Sequence, residues 1–158
     1  DEFKNKISQN LQSIQNIENL KNNYENILLE NISLKNEIEN LKTNNLKNIV
    51  EIEDEFLRKR RALLDILKAY GYNEVSDAAY GNTEYSKKFD EFLYLMVGYP
   101  TLTQLTPNLF VSPYGATSLR EYFANCFEEY FARRRYDNVR KVSPAVFDKI
   151  EILLGQGY

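Results

Sequence analysis

The sequence has no histidine, no tryptophan, one cysteine, one methionine, six glycines and four prolines in 158 residues. Each shortage excludes something. Without histidine the chain lacks the side chain that most often serves as acid–base catalyst near neutral pH, and the commonest metal ligand. A single cysteine rules out a disulfide framework and every cysteine-rich zinc module. Neither sign of charge dominates, with 20 Lys+Arg against 23 Asp+Glu for a net −3, which supplies no general attraction to nucleic acid or to an anionic membrane. No apolar run approaches the ~20 residues needed to cross a bilayer, so no membrane partner is expected. There is no signal-peptide pattern, and the start at Asp1 rather than Met leaves room for a longer parent protein or a processed product.

The few glycines and prolines are unevenly placed. The first glycine is Gly71 and the first proline Pro100, so roughly 70 residues run without either strong helix breaker. Composition changes in the same region: 13 of the 18 asparagines precede position 49, and 18 of the 21 aromatics lie from Tyr70 onward. Two parts are therefore expected, a helix over 1–60 and a lobe over 61–158.

Within the first part Ile17, Leu20, Tyr24, Ile27, Leu34, Ile38, Leu41 and Ile52 fall in alternating three- and four-residue steps, with Asn31 and Asn45 at the first apolar position of the heptad. This is the pattern of a coiled-coil seam, and an asparagine at that position lowers stability while fixing register. The earlier Phe3, Ile7, Leu11 and Ile14 join it through two successive three-residue steps, a stammer, so the frame is read over 17–52. Self-association or another protein is the expected partner, because a helix on the order of 100 Å long cannot bury this stripe on the residues that follow. The competing reading is a solvated Asn/Lys-rich tract of low complexity. Arg58-Lys59-Arg60-Arg61, set among Glu51, Glu53, Asp54 and Glu55, is expected to form intrahelical ion pairs on a solvated face before Gly71 stops the helix.

From Tyr72 onward the chain reads as three more helices. Thr83 is the expected cap of the first, with Phe89, Phe92, Leu93, Met96 and Val97 inward. Tyr99 to Pro113 reads as an irregular loop with a short extended piece at Leu109-Phe110-Val111. A helix from Thr117 or Ser118 is expected to turn Leu119, Tyr122, Phe123, Cys126, Phe127, Tyr130 and Phe131 inward, making Cys126 a core thiol. Ser143-Pro144 opens the last helix, with Val146, Phe147, Ile150, Leu153 and Leu154 inward. The fold class is all-α.

Tyr114-Gly-Ala-Thr-Ser-Leu-Arg-Glu121-Tyr-Phe-Ala-Asn125-Cys-Phe127 resembles the C-terminal signature of the anthrax lethal factor-like zinc metallopeptidases, a Tyr-Gly pair followed by a helix carrying Glu-Phe-Phe-Ala-Glu-x-Phe. The resemblance runs from about Arg61 to Leu154. It implies a lobe like half of a zincin-type metallopeptidase domain, with Glu121 at the place of the third zinc ligand, Tyr114 at that of the oxyanion-assisting tyrosine, and Asn125 where the family often has a supporting glutamate. Counting back by the family's spacing, Arg61 and Asp65 stand where its two HExxH histidines would be, and Ala62 at the general-base glutamate. With no histidine anywhere, the resemblance implies a degenerate, non-catalytic lobe without a cofactor.

Residue chemistry alone allows more than one role at these positions. Ser118 to Glu121 also spells a capping box, and Cys126, five residues from Glu121, points about 140° away from it on a helix. Because domains of the resembled family occur in toxins and large phage proteins, the implied setting is a large assembly such as a phage virion or tail, with localisation in the virion or cytoplasm. The alternatives are an active zinc metallopeptidase whose HExxH helix lies outside this chain, and a coiled-coil adaptor whose basic Arg133-Arg134-Arg135, with Arg140 and Lys141, contacts nucleic acid. For that cluster a solvated or salt-bridged surface is the other expectation.

Overall fold

A computed structural model of the chain describes residues 1–155; positions 156–158 of the expected lobe lie outside them. The described residues are all-helical, without a strand. Helix α1 is Glu2–Ala69, and the chain divides into two compact units, Asp1–Leu46 and Lys47–Tyr158.

The first unit is helix from Glu2 onward, as the absence of glycine and proline allows, and all its side chains are exposed, the apolar stripe included. Local interactions supplement the backbone ladder: Lys6 pairs with Glu2 one turn away, and the Ser13 and Thr43 hydroxyls donate to the carbonyls of Gln9 and Glu39.

The second unit begins well before the expected boundary at 60/61, because the end of α1 is the spine of its core. Ile52, read from sequence as the last seam position, is buried there with Phe56, Leu63, Leu64 and Leu67. Gly71 stops α1 as expected: at φ +92° it takes the left-handed conformation, and the Gly71 and Tyr72 N–H groups donate back to the carbonyls of Lys68 and Leu67.

The rest of the lobe holds more helical pieces than sequence suggested. A 3-10 turn, Asp77–Tyr80, precedes α2, Lys87–Glu91, which runs on as a wide π turn over Phe92–Val97. The cap of α2 is Ser86 rather than Thr83, its hydroxyl accepting the Phe89 N–H. The expected loop after Tyr99 is in part a helix, α3, Tyr99–Leu105, where Pro100 occupies the first turn and removes no needed donor. The extended piece at Leu109–Val111 is absent; these residues form turns and bends. After the 3-10 turn Pro113–Ala116 come α4, Leu119–Phe131, then α5, Tyr136–Val142, and α6, Pro144–Leu153. The basic stretch between the last two expected helices is thus itself helical in α5.

Two buried clusters result. Leu63, Leu64 and Leu67 meet Phe89, Leu93, Val97 and Leu102 in one; Ile52 and Phe56 meet Tyr122, Cys126, Val139, Val146 and Ile150 in the other, with Phe110 packed against both. The aromatic face of α4 is narrower than expected. Tyr122, Cys126 and Tyr130 are buried, whereas Phe127 and Phe131 are exposed and stack in series with Phe123 along the helix. Met96, Leu153 and Leu154 are likewise exposed rather than inward.

Candidate functional site

Tyr114 lies in the 3-10 turn that leads into α4, and Gly115 beside it is buried against α4, where an added Cβ would sit 3.6 Å from the Tyr122 backbone. Ser118 caps α4 by accepting the Glu121 N–H at 3.1 Å, the half of the capping box that the sequence pattern identified. One turn on, the Asn125 amide donates to the Glu121 carbonyl at 2.7 Å while its oxygen accepts the Ser112 hydroxyl. Asn125 thus ties the 3-10 turn to α4.

Tyr114 and Glu121 are close enough to sense each other. Partial desolvation, then the Glu121 carboxylate and the Asp90 carboxylate, hold the Tyr114 phenol above its ordinary value. Asp90 gathers two further phenols: Tyr85 donates to it at 2.7 Å and Tyr99 at 3.5 Å. The hydrogen bond to Asp90 pushes Tyr85 up to about 12, and burial followed by the Asp90 charge pushes Tyr99 up to about 12. Tyr85 and Tyr99 thus converge as donors on the Asp90 carboxylate, on the side of the lobe that Tyr114 senses.

The donor set does not fit a catalytic zinc, which needs about three protein ligands. Arg61 offers no lone pair, and Cys126 is fully buried in the core with its thiol pushed up to about 11 by desolvation; Asp65, which accepts the Tyr80 hydroxyl at 3.0 Å through one oxygen, would be a lone carboxylate there. Among the described residues no three His, Cys, Asp or Glu side chains are grouped to hold a metal ion. A groove of about 390 Å³ lies elsewhere, between Val75–Ala79 and Phe89–Met96, with Glu74, Glu84, Glu91 and Lys88 at its rim. Tyr114, Glu121 and Asn125 do not line it.

The larger difference from the sequence reading concerns Arg58-Lys59-Arg60-Arg61. Arg58 and Arg61 are exposed, but Lys59 and Arg60 are buried, 4% and 1% accessible, and neither forms an ion pair on a solvated face. Lys59 donates to the Leu109 carbonyl at 3.0 Å and to the Val142 carbonyl at the end of α5, over the rings of Phe110 and Tyr122. Burial lowers its pKa, with the Glu55 carboxylate opposing. Arg60 is packed near the rings of Phe56 and Phe89, 4.9 and 4.3 Å from their centres, and donates to the Ala79 carbonyl at 3.0 Å. Its Nε and Nη2 find no hydrogen-bond partner among the described residues, and desolvation lowers its pKa to about 10. One turn earlier Glu55, also buried, accepts the Tyr122 hydroxyl at 2.5 Å and the Ala145 N–H at 3.0 Å. Its carboxylate stands at the N-terminus of α6, where the helix dipole favours it.

The spacing held a signal for these residues. Ile52, Phe56, Lys59 and Leu63, and in parallel Phe56, Arg60, Leu64 and Leu67, continue one helix face at three- and four-residue steps. Reading the four cations as a charge run obscured it.

The other basic cluster is organised by one buried carboxylate. Glu129 accepts the Asn138 amide at 2.9 Å and pairs with Arg133 and Arg135, while Arg140 pairs with Asp137 and covers the Phe147 ring. No helix of the described residues is long and apolar enough to cross a membrane. No family model matches the chain, and neither does any curated protein or solved structure.

Proposed function

We propose that the protein is a non-catalytic structural or docking subunit that self-associates through the α1 stripe and contributes its helical lobe to a larger assembly. The observation that carries this reading is the exposed stripe from Ile17 to Leu41, apolar at seam spacing and covered by no other part of its own unit. Exposed apolar surface of this extent marks an interaction site. Ile52 belongs to the lobe core, so the usable seam ends earlier than the 17–52 frame.

For the lobe, the proposal follows the resemblance to the lethal factor-like metallopeptidases. Supporting it, Asn125 bonds the Glu121 carbonyl and accepts the Ser112 hydroxyl just ahead of the Tyr114 turn, so the matched positions belong to one local arrangement. Against a working peptidase stands the histidine-free sequence, with Arg61 at one of the two histidine places. A phage virion or tail is the setting the resemblance favours.

Sedimentation across a range of protein concentration is expected to give a particle larger than one chain. A compact monomer at every concentration contradicts the proposal. Stoichiometric zinc in purified protein, lost in Glu121→Ala together with peptidase activity, would replace it with the active-enzyme reading.

A further inference from the structure

The seam has flanks, and their charges are ordered. With Ile17, Tyr24, Asn31 and Ile38 at the first apolar position and Leu20, Ile27, Leu34 and Leu41 at the second, the flank preceding the first position carries Glu30 and Glu37, and the flank following the second carries Lys35 and Lys42. Helix α1 runs through this stretch without interruption, so the phase is kept from one heptad to the next. All four charged side chains are exposed, and the ion pairs found along α1, Lys6 with Glu2 and Lys47 with Glu51, use none of them.

Resting on the self-association reading above, we propose that the occupant of the stripe is a second copy of this chain lying parallel and in register, with Glu30 and Glu37 of each copy facing Lys35 and Lys42 of the other. In a parallel pair the preceding flank of one helix meets the following flank of its neighbour five residues further along. Glu30 then meets Lys35, and Glu37 meets Lys42. An antiparallel pair sets like flanks together, bringing glutamate to glutamate and lysine to lysine.

Asn31 points the same way independently. In a parallel, in-register pair each seam layer meets its own counterpart, so the two Asn31 amides satisfy each other. An antiparallel pair sets first positions against second ones, which within the stripe Ile17 to Leu41 are Leu20, Ile27, Leu34 and Leu41, and the amide would be desolvated without a partner.

Disulfide trapping tests the orientation. Leu41→Cys and Ile17→Cys full-length chains are equilibrated in glutathione redox buffer, with the wild-type chain, whose Cys126 is fully buried, as control. Leu41→Cys is expected to form a covalent dimer with itself, and an equal mixture of the two variants to form self-pairs and no mixed disulfide. A predominant mixed disulfide overturns the proposal. So does a Leu41→Cys chain that stays uncross-linked although sedimentation shows an oligomer. A protein that is monomeric in sedimentation overturns the self-association reading itself, which keeps the two failures distinct. The charge pairing has its own readout: Glu30→Lys with Glu37→Lys is expected to weaken association about tenfold at low salt, with recovery on mixing with a Lys35→Glu, Lys42→Glu chain. Unchanged association in the swapped chain overturns it.

Discussion

Glu55, Lys59 and Tyr122 form a buried polar group in which each side chain has a different job. The carboxylate accepts from Tyr122 and from the start of α6, and the ammonium donates to the Leu109 carbonyl and to the Val142 carbonyl at the end of α5. Glu55→Ala removes a helix-terminal acceptor and leaves a buried phenol and cation without it, so a loss of roughly 2–4 kcal/mol is expected in urea denaturation. Tyr122→Phe should cost less, since it leaves the Ala145 contact in place. The two ionisable partners of Glu55 carry opposite pH signatures. Lys59 has its pKa lowered from 10.5, so the folded chain binds fewer protons than the unfolded one and stability from this group rises as pH approaches 10.5. The Tyr122 phenol is raised from 10.0 by burial and then by Glu55; its contribution is whole below pH 10 and is lost as pH climbs toward the folded-state value. Urea midpoints measured from about pH 8 to about pH 11 should therefore lose the rising component in Lys59→Met and fall less steeply above pH 10 in Tyr122→Phe.

Among the elements, two connections put a non-glycine residue in the left-handed region, Asn108 after α3 and Arg134 between α4 and α5, and asparagine tolerates it better than arginine. Arg134 sits at φ +53°, a left-handed conformation that disfavours a side chain with a Cβ, and the following Arg135 N–H donates back to the Glu129 carbonyl. Arg134→Gly is expected to raise the melting temperature, by about 1 kcal/mol of added stability. The elements also explain what could be read in advance. Helix α1, its stop at Gly71, the Ser118 cap, the proline-led start of α6 and the burial of Cys126 each follow from a local cue: missing breakers, an αL glycine, a hydroxyl before a turn, apolar spacing. Helices α3 and α5 have weak cues, seven residues each, one hidden by prolines and the other by arginines. The burial of Lys59 and Arg60 was illegible for a different reason. Their partners are carbonyls of Leu109, Val142 and Ala79, and a carbonyl acceptor leaves no residue type in the sequence to mark it. At the candidate site the placement of Ser118, Glu121 and Asn125 was legible from helical spacing, while the grouping of Tyr85, Tyr99 and Asp90 near Tyr114 depended on tertiary packing.

At the scale of the molecule, the two units differ in what should stabilise them. The side chains of Asp1–Leu46 are exposed, and on the proposed reading its helix gains stability from a second copy, whereas the lobe has its own two clusters. Loss of helical signal on heating is therefore expected to have one component whose midpoint rises with protein concentration and another that does not move. Cys126 separates them. Its fully buried thiol, pushed up to about 11, should resist alkylation near neutral pH until the lobe opens, so its labelling rate follows the concentration-independent component.

The contact from Glu55 to Ala145 spans 90 residues and that from Lys59 to Val142 spans 83. During synthesis at about 5–20 residues per second, the whole stripe from Ile17 to Leu41 leaves the ribosome seconds before the far ends of these contacts exist. If the stripe pairs as proposed, nascent chains on one message have that surface complete while the lobe is still unable to close, which favours copies made side by side finding each other first.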